Sequence, residues 1–407
     1  LPRNLDLEAL RTPQSLLHTS KSQPKLIAPF PSHSSSIPPS IQEHAYAISM
    51  SWSDLPAELV AGIADRITEH ADLARFRSVC PSWRSASAEH AARRRVPLLL
   101  LPSQQNSRVN RRLWSLADDS ITETPMPAAC GRSFLFASPR GWTLAVADDF
   151  TATLLNPFTG ASESLPALPP SFHDGYQMIL RDMVWDRSPD AVMVSQGKGA
   201  FFCRLQGDGR SWTPADLSPP ARVGSITYCD GTFYLLDKRA NKVTAVDGAT
   251  FAVVVAIEPP DLVMPDRSWL RESTLVVSSA SELLLVVQGG CHRSKGLFKA
   301  FRADRGSLAA GWSEVADGGI GDRAVFVDHA RGFCVEANGV NGVRRNCVYV
   351  ASAHEEANAN SGWGDWGRYT VSMLDLDDLT TQNLSHGNLL KCLHGRQRPS
   401  WSMPNLH

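Results

Sequence analysis

The sequence predicts a multidomain α plus all-β chain: a short three-helix module over 50–95, then a β-propeller of about six blades over 96–407. Three observations carry this. Apolar residues recur every fourth position from Leu55 to Ile67, and that period vanishes beyond Val96, where short apolar runs alternate with Gly, Asp, Asn and Pro. Comparable runs then return at intervals of roughly forty to fifty residues, the length of a propeller blade. The segment 1–49 shares neither pattern. It is rich in Ser and Pro, as in Pro29-Phe30-Pro31-Ser32-His33-Ser34, and holds too little apolar surface to offset its ordering entropy, which predicts a disordered extension. Met50 stands directly before the helical module and is a candidate native start, the upstream part then being a frame or gene-model extension. An organellar transit peptide is the rival reading, set against Asp6, Glu8, Glu43 and few arginines.

In the helical module, Pro56 occupies a first turn that tolerates proline, and Glu58 lies beside the positive helix end. Leu55, Leu59, Ile63 and Ile67 form one apolar stripe. After a polar break at Thr68 to Ala71, Asp72 is placed to cap a second helix carrying Leu73, Phe76, Val79 and Cys80. Pro81 ends that helix and starts a third, with Trp83 and Ala86 on one side. Three short helices in so few residues cannot enclose a comfortable core, because small domains are mostly surface. Such a unit needs a partner or a neighbour.

Leu55-Pro56-x-Glu58-Leu59, the later Asp72-Leu73 and Val79-Cys80-x-x-Trp83-Arg84 at these spacings resemble the F-box, the helical module that docks on the Skp adaptor of cullin-based ubiquitin ligases. Gly62 within the first helix departs from good helix formers by about 1 kcal/mol. The resemblance implies that Leu55, Pro56, Leu59, Ile63, Ile67, Leu73, Val79, Cys80 and Trp83 occupy adaptor-binding and core positions. Packing against one another and against the following domain is the other reading of the same residues.

Beyond Val96 the apolar runs read as antiparallel strands: Phe134–Ala137, Thr143–Ala147, Ala191–Val194, Ser225–Tyr228, Thr232–Leu236, Lys242–Val246, Leu283–Val287 and Asn346–Ala351 among them. Strand starts recur at Leu135, Met183, Ile226 and Leu275, and a turn follows each: Ser-Pro-Arg-Gly, Asp-Arg-Ser-Pro-Asp, Cys-Asp-Gly and Ser-Ala-Ser-Glu. The period frays where Val325 and Val348 come too close together to begin two full blades, so the blade count stays open.

The same region carries a second resemblance. Val96-Pro-Leu-Leu-Leu-Leu-Pro, Leu155-Asn-Pro-Phe-Thr-Gly, Gly321-Asp-Arg-Ala-Val-Phe-Val-Asp, Asn346-Cys-Val-Tyr-Val and Arg398-Pro-Ser-Trp-Ser-Met-Pro are similar to the KIB-type β-propeller of plant F-box proteins. Ala351-Ser-Ala-His stands before Glu355 and Glu356, where that family often carries its acidic pair directly. The resemblance implies that Val96 to Leu101 and the tail near Trp401 close the ring, which removes exposed sheet edges.

Lys and Arg number 40 against 41 Asp and Glu, a formal net charge of -1, so no global field favours nucleic acid or an anionic membrane. The longest aliphatic run, Val96 to Leu101, is far too short to span a bilayer. Arg93-Arg94-Arg95 reads as a solvated helix end, with a nuclear-import signal or an anion site as the sharper alternatives. The eight cysteines are dispersed and never approach Cys-x-x-Cys spacing, which predicts free buried thiols and neither zinc nor a disulfide framework.

Catalytic patterns fare poorly. Gly362, Gly364 and Gly367 match Gly-x-Gly-x-x-Gly, but a strand-like run follows them where a dinucleotide site needs a helix. Adjacent Cys291 and His292 would point to opposite faces of a strand. Asp375, Asp377 and Asp378 lack calcium-loop spacing, and Asn383-Leu-Ser is a sequon without meaning in the cytosol or nucleus. Trp363 and Trp366, set among glycines, are candidate target-recognition anchors, with folding back over blade edges as the bland reading.

The resulting expectation is a non-catalytic substrate receptor in the cytoplasm and/or nucleus, without cofactor or metal. It would bind a Skp-family adaptor, through it cullin, and an unknown target protein. Two other classes stay open: a propeller enzyme or small-molecule binder with a vestigial F-box, and a Skp-binding scaffold outside ubiquitination.

Overall fold

The computed structural model describes residues 51–405 apart from 103–108, 139, 173–182, 208, 218–221, 261–270, 279–281, 290–296, 305–310, 316–319, 354–366 and 396. The extension 1–49 and Met50 lie outside the described residues.

Four helices, not three, open the described chain: α1 (Ala57–Ala64), α2 (His70–Ser78), α3 (Pro81–Ala86) and α4 (Ala88–Arg93). Pro56 sits immediately before α1, and Pro81 is the first residue of α3 behind an extended Cys80, so both prolines fall where a missing N–H costs nothing. Asp72 does not cap α2. The helix starts earlier, at His70 behind extended Glu69, and Asp72 in its first turn pairs instead with Arg75 at 2.7 Å. The Arg93–Arg95 run does more than end a helix in water. Arg94 donates to the carbonyls of Thr68 and Ile67 at 2.9 and 3.2 Å, satisfying groups left over beyond α1, and Arg93 reaches Asp65 at 3.2 Å.

The described chain beyond the helices folds into largely antiparallel sheets. The first pairs β1 (Leu98–Leu100), β2 (Asn110–Ser115) and β3 (Ser120–Pro125), and the second runs β4 (Arg132–Ala137), β5 (Thr143–Ala147), β6 (Ala152–Leu155), β7 (Ser162–Leu165) in sequence order. In the third, β8 (Val184–Arg187), β9 (Ala191–Ser195), β11 (Phe201–Arg204) and β12 (Thr213–Pro214) pair, while the intervening β10 (Gly197–Lys198) crosses to the fourth sheet. There it meets β13 (Arg222–Cys229), β14 (Thr232–Asp237), β15 (Lys242–Asp247) and β16 (Val253–Ile257). The predicted starts Leu135, Ile226 and Leu275 lie within β4, β13 and β17, and Met183 directly precedes β8.

A ten-stranded sheet completes the set. Its first run is β17 (Arg271–Val277), β18 (Leu283–Gly289), β19 (Leu297–Ala303) and β20 (Trp312–Glu314). Its second is β21 (Arg323–Val327), β22 (Gly332–Glu336), β23 (Cys347–Ala353), β24 (Gly367–Asp375) and β25 (Thr381–Asn383). The runs join through a short parallel pairing of Val276 and Val277 with Gly332 and Phe333. The close spacing of Val325 and Val348 is resolved by a parallel pairing of β21 with β23 inside one sheet, a crossover that an antiparallel repeat does not foresee. After α5 (Gly387–Cys392) and β26 (His394–Gly395), which pairs with β24, the final β27 (Ser400–Ser402) returns to β1. Its register, Leu98 to Ser402, Leu99 to Trp401 and Leu100 to Ser400, joins the tail to the first sheet as the ring-closure reading implies.

Apolar clusters follow the same order. Trp185 and Val192 pack on Leu144 and Leu154, Ile226 and Phe233 on Val184 and Met193, and Leu275 and Leu285 on Leu236 and Val243. Leu99, Trp114 and Trp401 then meet Phe326, Tyr349 and Val371, so the last strands pack on the first sheet. The turn Asp328–Arg331, buried except for half-buried His329, ties distant sheets together. Asp328 accepts from the Trp401 N–H at 3.1 Å, Lys238 Nζ donates to the His329 carbonyl at 2.6 Å, and the Arg331 guanidinium lies 5.2 Å from the Trp185 ring centroid. None of the described helices is long and apolar enough to cross a membrane.

Candidate docking surface

The helices do not build their own core. Val60 and Ala64 of α1, Leu73, Ala74 and Phe76 of α2, and Ala91 of α4 form one buried cluster with Leu98, Leu100 and Leu113 of the first sheet and Leu135, Ala145 and Leu155 of the second. His70 links the helical segment to the seam. His70 Nε2 bonds the Arg94 carbonyl at 3.1 Å, and its ring stands 5.6 Å from that of Phe158 beyond β6. Burial holds the His70 imidazole below its ordinary pKa.

Seen from α1, this seam uses the helix face one position round from the anticipated stripe. Val60 and Ala64 face inward, whereas Leu59 is 58% and Ile63 43% exposed. A four-residue apolar period tells that a face is apolar, not which of two apolar faces meets the core. Val79, at the end of α2, is 57% exposed, and Trp52, in the 3-10 turn Trp52–Asp54, is 74% exposed. Of the nine large apolar side chains most exposed among the described residues, four thus lie between positions 52 and 79, and the other five scatter from 109 to 390. Single exposed apolar residues are ordinary, but their concentration in one short segment makes that segment a candidate interaction surface.

The other anticipated residues sort by position. Pro56 is exposed, Cys80 half-buried, and Leu55, Ile67 and Trp83 pack partly on the shared core. Leu73 is 1% exposed and belongs wholly to that core, so no partner touches it in this conformation. Trp83 holds the module together: its ring lies 4.5 Å from that of Phe76, and its Nε1–H donates to the Trp52 carbonyl at 2.9 Å. Ser82 Oγ donates to the Ser53 carbonyl at 3.2 Å, so the segment before α1 is pinned to the start of α3. Trp52 was missed as a surface residue, because the apolar period begins only after it. A Ser51 capping box closed by the Asp54 carboxylate holds its turn in place. Gly62 has open space around it, so no packing contact demands a glycine there.

Trp363 and Trp366 lie outside the described residues, as do Gly362, Gly364, Cys291 and His292. Gly367 opens β24, a strand. Asp375 and Asp377 are engaged structurally, by Arg344 at 2.6 Å and by the Asn346 side-chain amide at 2.7 Å. Among the described residues, no group of three His, Cys, Asp or Glu side chains is placed to hold a metal ion. The described cysteines are free thiols, and burial pushes that of Cys334 up to about 12 and that of Cys347 up to about 11, which makes both inert.

Residues 113–371 match the model of the KIB1-4 beta-propeller family. The chain is similar to F-box protein At4g22660 of Arabidopsis thaliana, 25% identical over 354 residues that cover 75% of this chain and 87% of the relative. It is also similar to F-box protein At4g22170 of the same plant, 32% identical over 326 residues, 74% of this chain and 84% of the relative. F-box protein SKIP23, again from Arabidopsis thaliana, is 29% identical over 270 residues, 58% of this chain and 63% of the relative.

Proposed function

The chain belongs to the KIB1-4 beta-propeller family, and from that premise we propose that it is the substrate-recognition subunit of a Skp-cullin-F-box ubiquitin ligase. Residues 50–95 act as the F-box that docks on a Skp-family adaptor, and 96–407 form the propeller that holds a target protein. The observation that carries this is the two-sided use of α1: Val60 and Ala64 lock the helix to the propeller, while Leu59 and Ile63, with Val79 and Trp52 nearby in sequence, remain apolar and exposed. Relatives of similar length being named F-box proteins supports the same reading. The six-blade reading counts the two runs of the ten-stranded sheet as separate blades.

The chain performs no covalent chemistry in this account. It raises the effective concentration of target lysines beside a cullin-bound conjugating enzyme, and the shared core between helices and sheets makes that placement rigid rather than tethered. The cytoplasm and the nucleus are both compatible sites of action. Co-expression of the chain with a Skp-family adaptor and cullin tests the proposal. Recovery of all three in one assembly is the expected result. Adaptor without cullin would favour a scaffold outside ubiquitination, and recovery of the chain alone would overturn the receptor reading.

A further inference from the structure

The turns that follow the first strands of successive sheets, far apart in sequence, converge on one cavity. Arg140 and Trp142 come from the β4–β5 turn, Arg187, Ser188 and Pro189 from the end of β8 and its turn, Tyr228, Cys229 and Asp230 from the end of β13 and its turn, and Val277 from the end of β17. Asn405 of the tail completes the wall around about 380 Å³. Sites for compact ligands begin at roughly this size.

Its two cations differ. Arg140 is spent: it pairs with buried Asp186 at 2.7 Å and donates to the carbonyls of Tyr228 and Arg187. Arg187 is not. Its Nε donates to the Ser188 carbonyl at 3.3 Å and its guanidinium lies 4.4 Å from the Trp142 ring centroid, but its Nη1 is buried with no acceptor among the described residues. Burial lowers the Arg187 pKa, with Glu163 and Asp186 opposing and Arg140 adding to the effect. A half-buried guanidinium whose Nη1 lacks a partner is costly, and a planar anion that engages its fork relieves that cost.

We propose that this cavity is a carboxylate-binding site anchored by Arg187. One unneutralised guanidinium matches one carboxylate charge, whereas a phosphate dianion calls for more donors than remain once Arg140 is engaged. The walls of Trp142, Tyr228, Pro189 and Val277 suit a ligand whose carboxylate sits on a flat or aliphatic body. The carboxylate belongs either to a free organic acid or to an acidic side chain of a bound target. The second source rests on the receptor reading above; the first does not.

The test titrates the full chain, followed by ligand-observed NMR, with benzoate, with N-acetyl-glutamate α-amide, with their neutral counterparts benzamide and N-acetyl-glutamine α-amide, and with inorganic phosphate. At least one acid binds about tenfold or more tightly than its amide, and Arg187→Met abolishes the difference. Tighter benzoate indicates a free acid, and tighter capped glutamate a target side chain. Arg187→Lys, which keeps the charge without the fork, retains part of the preference and covers the case in which the Met variant fails to fold. Amides binding as well as acids, no acid binding, an acid preference unchanged in folded Arg187→Met, or phosphate binding more tightly than either acid would overturn the proposal. Adaptor capture by the same samples reads the receptor proposal separately, since Arg187 lies far in sequence from the helices and outside their shared core.

Discussion

The helical module and the propeller use apolar residues in opposite ways. In the sheets, side chains such as Leu144, Met193, Phe233, Leu285 and Phe326 are fully buried, because each sheet packs on its neighbour and β27 closes on β1. On the helices, Val60, Ala64 and Leu73 are buried just as completely, yet Trp52, Leu59, Ile63 and Val79 are left out. The contrast teaches that the sheets bury their apolar residues on one another and, in the first two sheets, on the helices, whereas the helices bury one face on the propeller and leave another apolar and exposed. The small size of the module predicts such a shortfall, and the shared core covers Val60, Ala64 and Leu73 but not Leu59, Ile63 or Val79.

If closure stabilises the propeller, the largest effect comes from Trp401→Ala. That ring is fully buried in β27 and stands 5.0 Å from Phe326, edge to face, and 6.1 Å from Trp114. Its loss costs about 3–5 kcal/mol, read as a fall in the urea midpoint. Next comes Leu73→Ala at about 2–5 kcal/mol. Because Leu73 shares a core with the first two sheets, far-UV and tryptophan signals from this variant move together in one transition. A separate early melting of the helices would break the claim that module and propeller are one folded unit.

A smaller effect depends on pH. The folded state holds the pKa of His70 below its unfolded value of about 6.5, so the neutral ring contributes stability that is fully present above that pH and is lost as pH falls through the folded pKa. Melting measured at about pH 7.5 and about pH 5.5 falls further on acidification in the native chain than in His70→Gln. Equal losses in the two proteins would show that the seam does not depend on a neutral imidazole.

Much of this division was legible in the sequence. Pro81 marked the start of α3, the recurring runs marked the first strands β4, β8, β13 and β17, and Trp401 lies in the strand that joins the tail to β1. The orientation of α1 was not legible, since Leu59/Ile63 and Val60/Ala64 are both apolar pairs four residues apart and nothing local ranks them. Asp72 carried a capping signal that Glu69 and His70 pre-empted, because the helix could extend upstream without a clash. Helix α4 was hidden by its length and by the arginines that follow it. The Arg187 cavity was half visible: its turns were recognisable as turns, but their convergence arises only when strands some forty residues apart stack.

The most direct test of the central claim is the affinity of a purified Skp-family adaptor for the full chain and for the double variant Leu59→Asp, Ile63→Asp. Both side chains are exposed, so the variant keeps its melting temperature while adaptor binding weakens by about 2 kcal/mol or more, roughly thirtyfold. Unchanged affinity in a variant that melts normally would contradict the account, because the apolar face left open by the propeller would then not be the face that the adaptor covers.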